Sequence, residues 1–535
     1  MASLGQHSYA ALTPDYCSPI SRLPGSILAE IFLSLRDLLK SDNDNRQSNL
    51  PWIRYTTHIC RYWRRLAISS PFLWTRIIAE SPQITALLLE RSGDLSLDIV
   101  GDIAVHGTDS EDFDRKMSSV TPCFGRVRSL DLRTQRNTST DILLDDDSSE
   151  DDFSERDEFI MDPLLQARIS SLLRPLNPYA MADDGFLEDT TTPAFVTIPH
   201  PLPQVQELRL TGFPWRSVQP TIPSCIRKLE LNTFGGYYPP SIENILEVIE
   251  PLAAGLEELT LRDGLPDAME LFENADEDSV DDDSENDDSD DSNEDAPKKL
   301  PSFDYLISLP HLKELTLDGP GASCATILRH LEVSPGIAVS FRLAANPEFE
   351  DLSLVIDAIA QTLPLTPGQG SVSEIRSLDV VWGPLSSHGV TLSAWTTSFP
   401  PSSFLALLDS QNSPTHLPTP LLKVNLVDYD GDDIINALFR GLPFQNVTML
   451  SLRDVSRPRG EEDVLDTPRL TALLHQLPSI DTMSISQFLA KDLPVSVSRF
   501  SEGASRSILP NLKVLNIGRP APRSAIANRE NPRPL

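Results

Sequence analysis

Apolar residues recur along much of this chain in one spacing: an apolar position, two residues, an apolar position, one residue, an apolar position. It appears as VRSLDL from Val127, VQELRL from Val205, IRKLEL from Ile226, LEELTL from Leu256 and LKELTL from Leu312. It continues as IRSLDV from Ile375, LLKVNL from Leu421, VTMLSL from Val447, IDTMSI from Ile480 and LKVLNI from Leu512, with a weaker AVSFRL from Ala338. In all ten stronger copies the residue between the last two apolar positions is polar. That alternation predicts a short strand with one buried face. A proline shortly before many copies, as in Leu202-Pro203, Leu309-Pro310 and Leu477-Pro478, predicts a rigid turn into the strand. Neighbouring copies start 21, 30, 26, 33 and 32 residues apart where no insertion intervenes. Between copies, 241–255, 352–363 and 432–442 carry helical spacing, in the first through Ile242, Ile245, Leu246 and Ile249. Strand, turn and helix repeating on this scale predict an α/β solenoid of short parallel strands alternating with helices, over 90–519.

The first part of the chain has a different period. Leu23-Pro24 opens a predicted helix, with proline in the first turn where its missing N–H costs nothing. Ile27, Leu28, Ile31, Phe32 and Leu35 then form one apolar stripe. SDNDNRQSN at 41–49 breaks the pattern, and a second helix is expected to carry Ile59, Cys60, Trp63, Leu66 and Ala67 on one face. Ser70-Pro71 ends it, and PFLWTRI begins a third piece anchored by Trp74. A helical domain is therefore expected over 21–79. So small a unit is marginal alone and gains stability by docking on a neighbour.

Charge changes the picture in two places. The chain of 535 residues has a formal net charge of −34, and much of it is local. Residues 144–158 hold nine acids and one Arg, and 273–295 hold fourteen acids and no base. Such tracts repel themselves and have too little apolar surface to offset the entropy of ordering. Disordered insertions are expected near 138–160, 177–195 and 270–300, with a disordered lead-in over 1–20 and tail over 520–535. Ser279, Ser284 and Ser292 each have an acid three residues on, a pattern suited to phosphorylation. Clustered Lys and Arg able to release counterions from phosphates are lacking, which argues against nucleic acid and against an anionic membrane surface.

Catalytic and metal chemistry find no foothold in the sequence. The five cysteines are dispersed, no C-x-x-C or H-E-x-x-H occurs, and DYDGDD at 428–433 lacks the spacing of a calcium loop. No cofactor, no metal and no enzymatic activity are expected. Cys60 reads as an inert core thiol, since a reactive one needs an activating base and exposure. With no visible secretory signal or membrane span, the cytoplasm or nucleus is expected.

LPGSILAEIF at 23–32 and HICRYWRRLAISSPFLW at 58–74 resemble an F-box, following its Leu-Pro, Ile-Leu, Ile-Phe pattern and then its Cys-x-x-Trp-Arg-x-Leu-Ala and Pro-x-Leu-Trp pattern. Gly25-Ser26 departs from the Pro-Glu type pair common at the helix start. The strand phrases resemble the L-x-x-L-x-L segment of leucine-rich repeats, though the asparagine usual after it is mostly missing. The whole is similar to fungal F-box proteins with a leucine-rich-repeat-like C-terminal part. This resemblance implies a three-helix F-box whose partner is the Skp-family adaptor and, through it, a cullin–RING ubiquitin ligase. By carry-over, Leu23, Pro24, Ile27, Leu28, Ile31, Phe32, Ile59, Cys60 and Trp63 form the adaptor-binding surface or its immediate support. A solenoid offers its exposed strand positions to a protein substrate. The candidates are Arg209, Glu230, Thr260, Thr316, Asp379, Ser451 and Ser484, with Arg262 and Arg453 one step further along. The expected function is the substrate-recognition subunit of a Skp–cullin–F-box ligase. The alternative is a non-ligase repeat scaffold whose acidic inserts bind basic proteins.

Overall fold

A computed structural model of the chain describes residues 19–41, 50–79, 81–104, 120–135, 204–212, 222, 224–232, 240–266, 306–344, 350–362, 374–383, 389–400, 418–427, 437–454, 467–486 and 509–518. The acidic tracts, the segments 177–195 and 428–433, the tail and residues 1–18 of the lead-in lie outside the described residues. The fold is mixed α/β, with a large, mostly parallel sheet and several helices. It divides into two compact units: residues 1–143 with 198–205, and residues 144–197 with 206–535.

The first unit opens with α1 (Gly25–Ser41), α2 (Leu50–Thr57) and α3 (Arg61–Ile68), followed by a 3-10 turn at Pro71–Trp74. Leu28 and Phe32, one turn apart on α1, are wholly buried. The Phe32 ring meets Trp63 of α3 with centroids 5.1 Å apart, and Trp52 of α2 meets Trp74 at 5.3 Å. Buried indoles need a partner for their N–H. Trp74 Nε1 donates to the Ala67 carbonyl at 2.8 Å, and the Arg91 guanidinium stacks 4.3 Å from its ring centroid. Helix α4 (Pro82–Ser92) starts at Ser81, whose hydroxyl accepts from the Ile84 N–H. Strands β1 (Arg76–Ile78), β2 (Leu97–Ala104) and β3 (Val127–Gln135) pair in parallel in that order.

Two expectations for this unit are corrected. Helix α2 lies in the stretch between the expected helices, and its inner side is largely polar by sequence: Thr56 and Thr57 are buried beside Trp52. Their hydroxyls donate to the carbonyls of Trp52 and Ile53, which removes the cost of burying them. Ile59 and Cys60 precede the second expected helix instead of lying on its face. Cys60 is the extended N-cap of α3, its sulfur accepting from the Trp63 N–H at 3.4 Å, and it is exposed, not a core thiol.

The second unit holds β4 (Glu207–Thr211), β5 (Lys228–Asn232), β6 (Glu258–Arg262), β7 (Ile307–Leu309), β8 (Glu314–Gly319), β9 (Leu331–Val333) and β10 (Ala338–Ala344). It continues with β11 (Ser377–Gly383), β12 (Gly389–Trp395), β13 (Leu422–Val427), β14 (Met449–Asp454), β15 (Thr482–Ser486) and β16 (Val514–Gly518). Within this unit the main sheet runs β4-β5-β6-β8-β10-β13-β12-β11-β14-β15-β16, and β7 pairs β9 apart from it. Strands β4 to β10 pair in parallel with the repeat phrases in register: Leu208, Leu229, Leu259 and Leu315 align, as do Leu210, Leu231, Leu261 and Leu317. All eight are buried. Helices α5 (Ile242–Ile249) and α6 (Gly321–Arg329) pack on each other; α6 packs on β8 and β10, and α7 (Glu350–Thr362) packs on α6. Helix α8 (Thr467–His475) precedes β15.

Parallel strands in sequence order were expected throughout, and the order breaks at one place. From β10 the chain reaches β11, returns through β12 and β13 to sit beside β10, then leaves to β14 beyond β11. Both pairings of β12 are antiparallel. Only residues 384–388 separate β11 from β12. A parallel crossover needs a dozen or more residues, so a connection this short forces an antiparallel return.

Candidate protein-docking surfaces

The nine residues assigned to the helical surface divide into two groups. Leu28, Phe32 and Trp63 are at most 9% exposed and join α1 to α3. Ile27 and Ile31, one turn apart on α1, are 47% and 40% exposed, and Ile59 beside the α3 cap is 59% exposed. Pro24 and Cys60 are exposed as well, and Leu23 is half-buried. The start of α1 lies against α3: a Cβ at Gly25 would stand 3.4 Å from Leu66 Cδ1 and 3.7 Å from the Tyr62 hydroxyl. Tyr55 and Tyr62 add further exposed ring surface on α2 and α3. Large apolar side chains left open on adjoining helical elements mark an interaction surface more often than scattered single ones do.

Helices α2 and α3 also carry cations. Arg54, Arg61, Arg64 and Arg65 are exposed and have no ion-pair partner among the described residues. Arg64 Nε donates to the Thr57 carbonyl at 2.7 Å, tying α3 back to the end of α2.

On the second unit, the face away from the leucine rows carries the polar positions of the strand phrases. Parallel register aligns Arg209, Glu230, Thr260, Thr316, Ser340 and Lys423 in one row across β4 to β13. Arg262, Asp318, Arg342 and Asn425 align in the next. Glu230 accepts ion pairs from Arg209 and, at 3.8 Å, from Arg262. Arg342 reaches Asp318 at 3.4 Å. Near the strand starts, Glu257 binds Arg227 at 2.9 Å and also Lys313, and these cations hold its carboxyl below the usual range, Lys313 most strongly. Lys228 is raised by its hydrogen bond to Glu258. Burial, then the neighbouring Asp263, push the Asp318 carboxyl above its usual range despite Arg342 and Arg262.

The structure brings Arg209, Glu230, Thr260, Thr316 and Arg262 together on this open face. It does not do so for three others. Asp379 is 7% exposed, Ser484 2%, and Ser451 fully buried, which corrects their reading as solvent-facing positions. Their strands lie past the antiparallel insertion, where outward positions of β11, β14 and β15 are covered. Arg453 is half-buried and doubly hydrogen-bonded to Asp379, so both serve the packing there.

The alternating pattern does not point to a concave part of the open face. Two hollows of about 350 and 410 Å³ adjoin at Glu314, Ala338 and Thr419. They form because β10 turns short side chains outward, Ala338 and Ser340, between the longer Glu314 of β8 and Lys423 of β13. The signal is the weak AVSFRL copy, in which the outward Ala338 and Ser340 are both short.

No group of three potential metal ligands occurs among the described residues, and no described helix is long and apolar enough to cross a membrane. No family model matches this sequence, and no curated protein matches it either.

Proposed function

We propose that this chain is the substrate-recognition subunit of a Skp–cullin–F-box type ubiquitin ligase, acting in the cytoplasm or nucleus and carrying no catalytic group of its own. The helices of the first unit are its F-box and bind the Skp-family adaptor, which links it to a cullin–RING ligase. The second unit is a leucine-rich-repeat-like receptor for a protein substrate. One observation carries the reading: of the positions that the F-box resemblance assigns to the adaptor, Ile27, Ile31 and Ile59 stay open while Leu28, Phe32 and Trp63 are used internally. An apolar helical stripe of that kind fits a groove on a partner. In this role the rate of ubiquitin transfer rises through proximity and orientation, with no bond made or broken by this chain.

The test is capture of the purified Skp-family adaptor by the full chain, wild type against Ile27→Asp/Ile31→Asp. Both positions face solvent, so the variant keeps its fold and loses the adaptor. A wild-type chain that fails to capture the adaptor removes the ligase reading and leaves the repeat scaffold, whose acidic inserts would bind basic proteins.

A further inference from the structure

We infer that the trough along β10 is a binding site for an extended segment of a partner protein that carries a carboxylate side chain at one end of the trough. The inference deepens the proposed function, since it rests on the second unit being the part that holds a client.

Shape gives the first argument. Ala338 and Ser340 form the floor, Glu314 and Thr316 stand on one side, and Thr419, Pro420 and Lys423 on the other. Along β10 the trough runs from Ala338 to Arg342, five residues of strand, with Gly336 in the turn that leads into it. At the rise of a strand those four steps are about 13 Å, matching about five extended residues. A regular parallel array of long outward side chains has no such channel. This one lies beside the break in strand order, where residues 418–421 lead into β13. Clefts at topological breaks of open sheets are recurrent binding sites.

Charge gives the second argument and the direction. Arg262 and Arg342 stand at the end towards the C-termini of the strands, and Lys423, level with Ser340, lies one row before them. Arg342 is 59% exposed, and Lys423 has no ion-pair partner among the described residues. The carboxylate at that end, Asp318, is only 6% exposed and already accepts from Arg342. Among the described residues it leaves Lys423 without an ion pair, and the Arg342 side chain stays largely exposed. Ser340 and Asn425 line the same end and can donate further hydrogen bonds. Towards the other end Glu258, Lys313 and Glu314 line the hollow; Glu258 is paired with Lys228 and Lys313 with Glu257, which leaves Glu314 without an ion pair among the described residues. Glu314 disfavours a second acid there, so the site fits one anionic residue at the arginine end and neutral residues behind it. Guanidinium and ammonium donors to a carboxylate make the stronger class of hydrogen bond.

The test uses the full chain and fluorescein-labelled twelve-residue Gly/Ser peptides with a single central Glu, Gln or Lys, read by fluorescence anisotropy. The Glu peptide binds about tenfold more tightly than the Gln peptide, and the Lys peptide binds weakest. The preference disappears in Lys423→Glu and in Ala338→Trp, which fills the floor; both point away from the core, and unchanged melting checks the fold. Equal binding of the Glu and Gln peptides overturns the site, as does a preference that survives both substitutions. Adaptor capture is measured on the wild type and on the same variants. A wild-type chain that captures the adaptor but shows no Glu preference refutes the trough alone, and a wild-type chain that shows the preference but never captures the adaptor refutes the ligase reading alone.

Discussion

The Phe32 and Trp63 rings meet at 5.1 Å with an interplanar angle of 59°, a tilted pair that fixes α1 against α3. Phe32 has no exposed surface, while Ile31 beside it is 40% exposed. Neighbouring residues on one helix thus serve opposite purposes. Phe32→Ala is expected to destabilise the first unit by about 3–5 kcal/mol. Ile31→Ala is expected to change it by no more than about 0.5 kcal/mol. Hydrogen exchange of the α1 and α3 amides, which reads this unit apart from the other, checks both. Equal loss of protection in the two variants would mean that Ile31 also belongs to the core.

Gly441 and Ile356 set a tighter constraint in the second unit. A Cβ built on Gly441 falls 2.1 Å from Ile356 Cγ2 on α7, closer than atoms can approach. The offending methyl sits on the branched Cβ of isoleucine and has little freedom to swing away. Gly441→Ala is expected to cost about 1–3 kcal/mol through overpacking. Ile356→Ala removes a side chain that is 4% exposed and is costly alone, but together with Gly441→Ala it costs less than the two single losses added, whereas Ile356→Val, which keeps Cγ2, shows no such coupling. Urea midpoints of the single and double variants decide the matter.

The repeat phrases made most of the second unit legible, because leucine alternation fixes both the strand and its buried side. Leu229 and Leu231, then Leu259 and Leu261, fall in the sheet where the alternation places them. What alternation does not carry is neighbour order. The phrases at β11, β13 and β14 look alike, and the short span between β11 and β12 was the cue that the chain doubles back there. In the first unit, helix α2 escaped because its buried positions include Thr56 and Thr57, which satisfy themselves on backbone carbonyls and look polar in sequence. Among the candidate contact positions, Ile27 and Ile31 share one apolar stripe with Leu28 and Phe32, so periodicity alone could not separate contact from core. Asp379 and Ser451 were misread because the pattern shows which side of the sheet a residue takes, not whether that side is covered.

Asp379 owes its place on a covered surface to Arg453, which donates to both of its carboxylate oxygens from the adjacent strand. Arg453→Met leaves that carboxylate buried without its guanidinium and is expected to cost about 1–3 kcal/mol. Adding Asp379→Asn removes the stranded charge, so the double variant is less destabilised than the two single losses added together. A thermodynamic cycle from urea unfolding measures this coupling. Additive losses would show that the pair contributes nothing jointly.

Asp318 supplies a dependence on pH whose sign follows from its surroundings. Burial is the main cause of its raised pKa and Asp263 the next, while Arg342 and Arg262 offset only part of the rise. In the unfolded chain its carboxyl titrates near the ordinary 3.8. The folded state therefore holds the proton to higher pH than the unfolded state does. This group's unfavourable contribution is absent below 3.8, grows as the pH rises towards the folded pKa, and stays at full size above it. Asp318→Asn removes the charge and keeps the shape. The variant is expected to melt above wild type at about pH 7. The gap should close as the pH falls through the acid range, because the wild-type carboxyl then becomes neutral in both states. Melting curves of the two chains across that range check the sign. A gap that stays constant with pH would trace the effect to packing, and one that widens in acid would mean the arginines dominate and the carboxylate stabilises the fold.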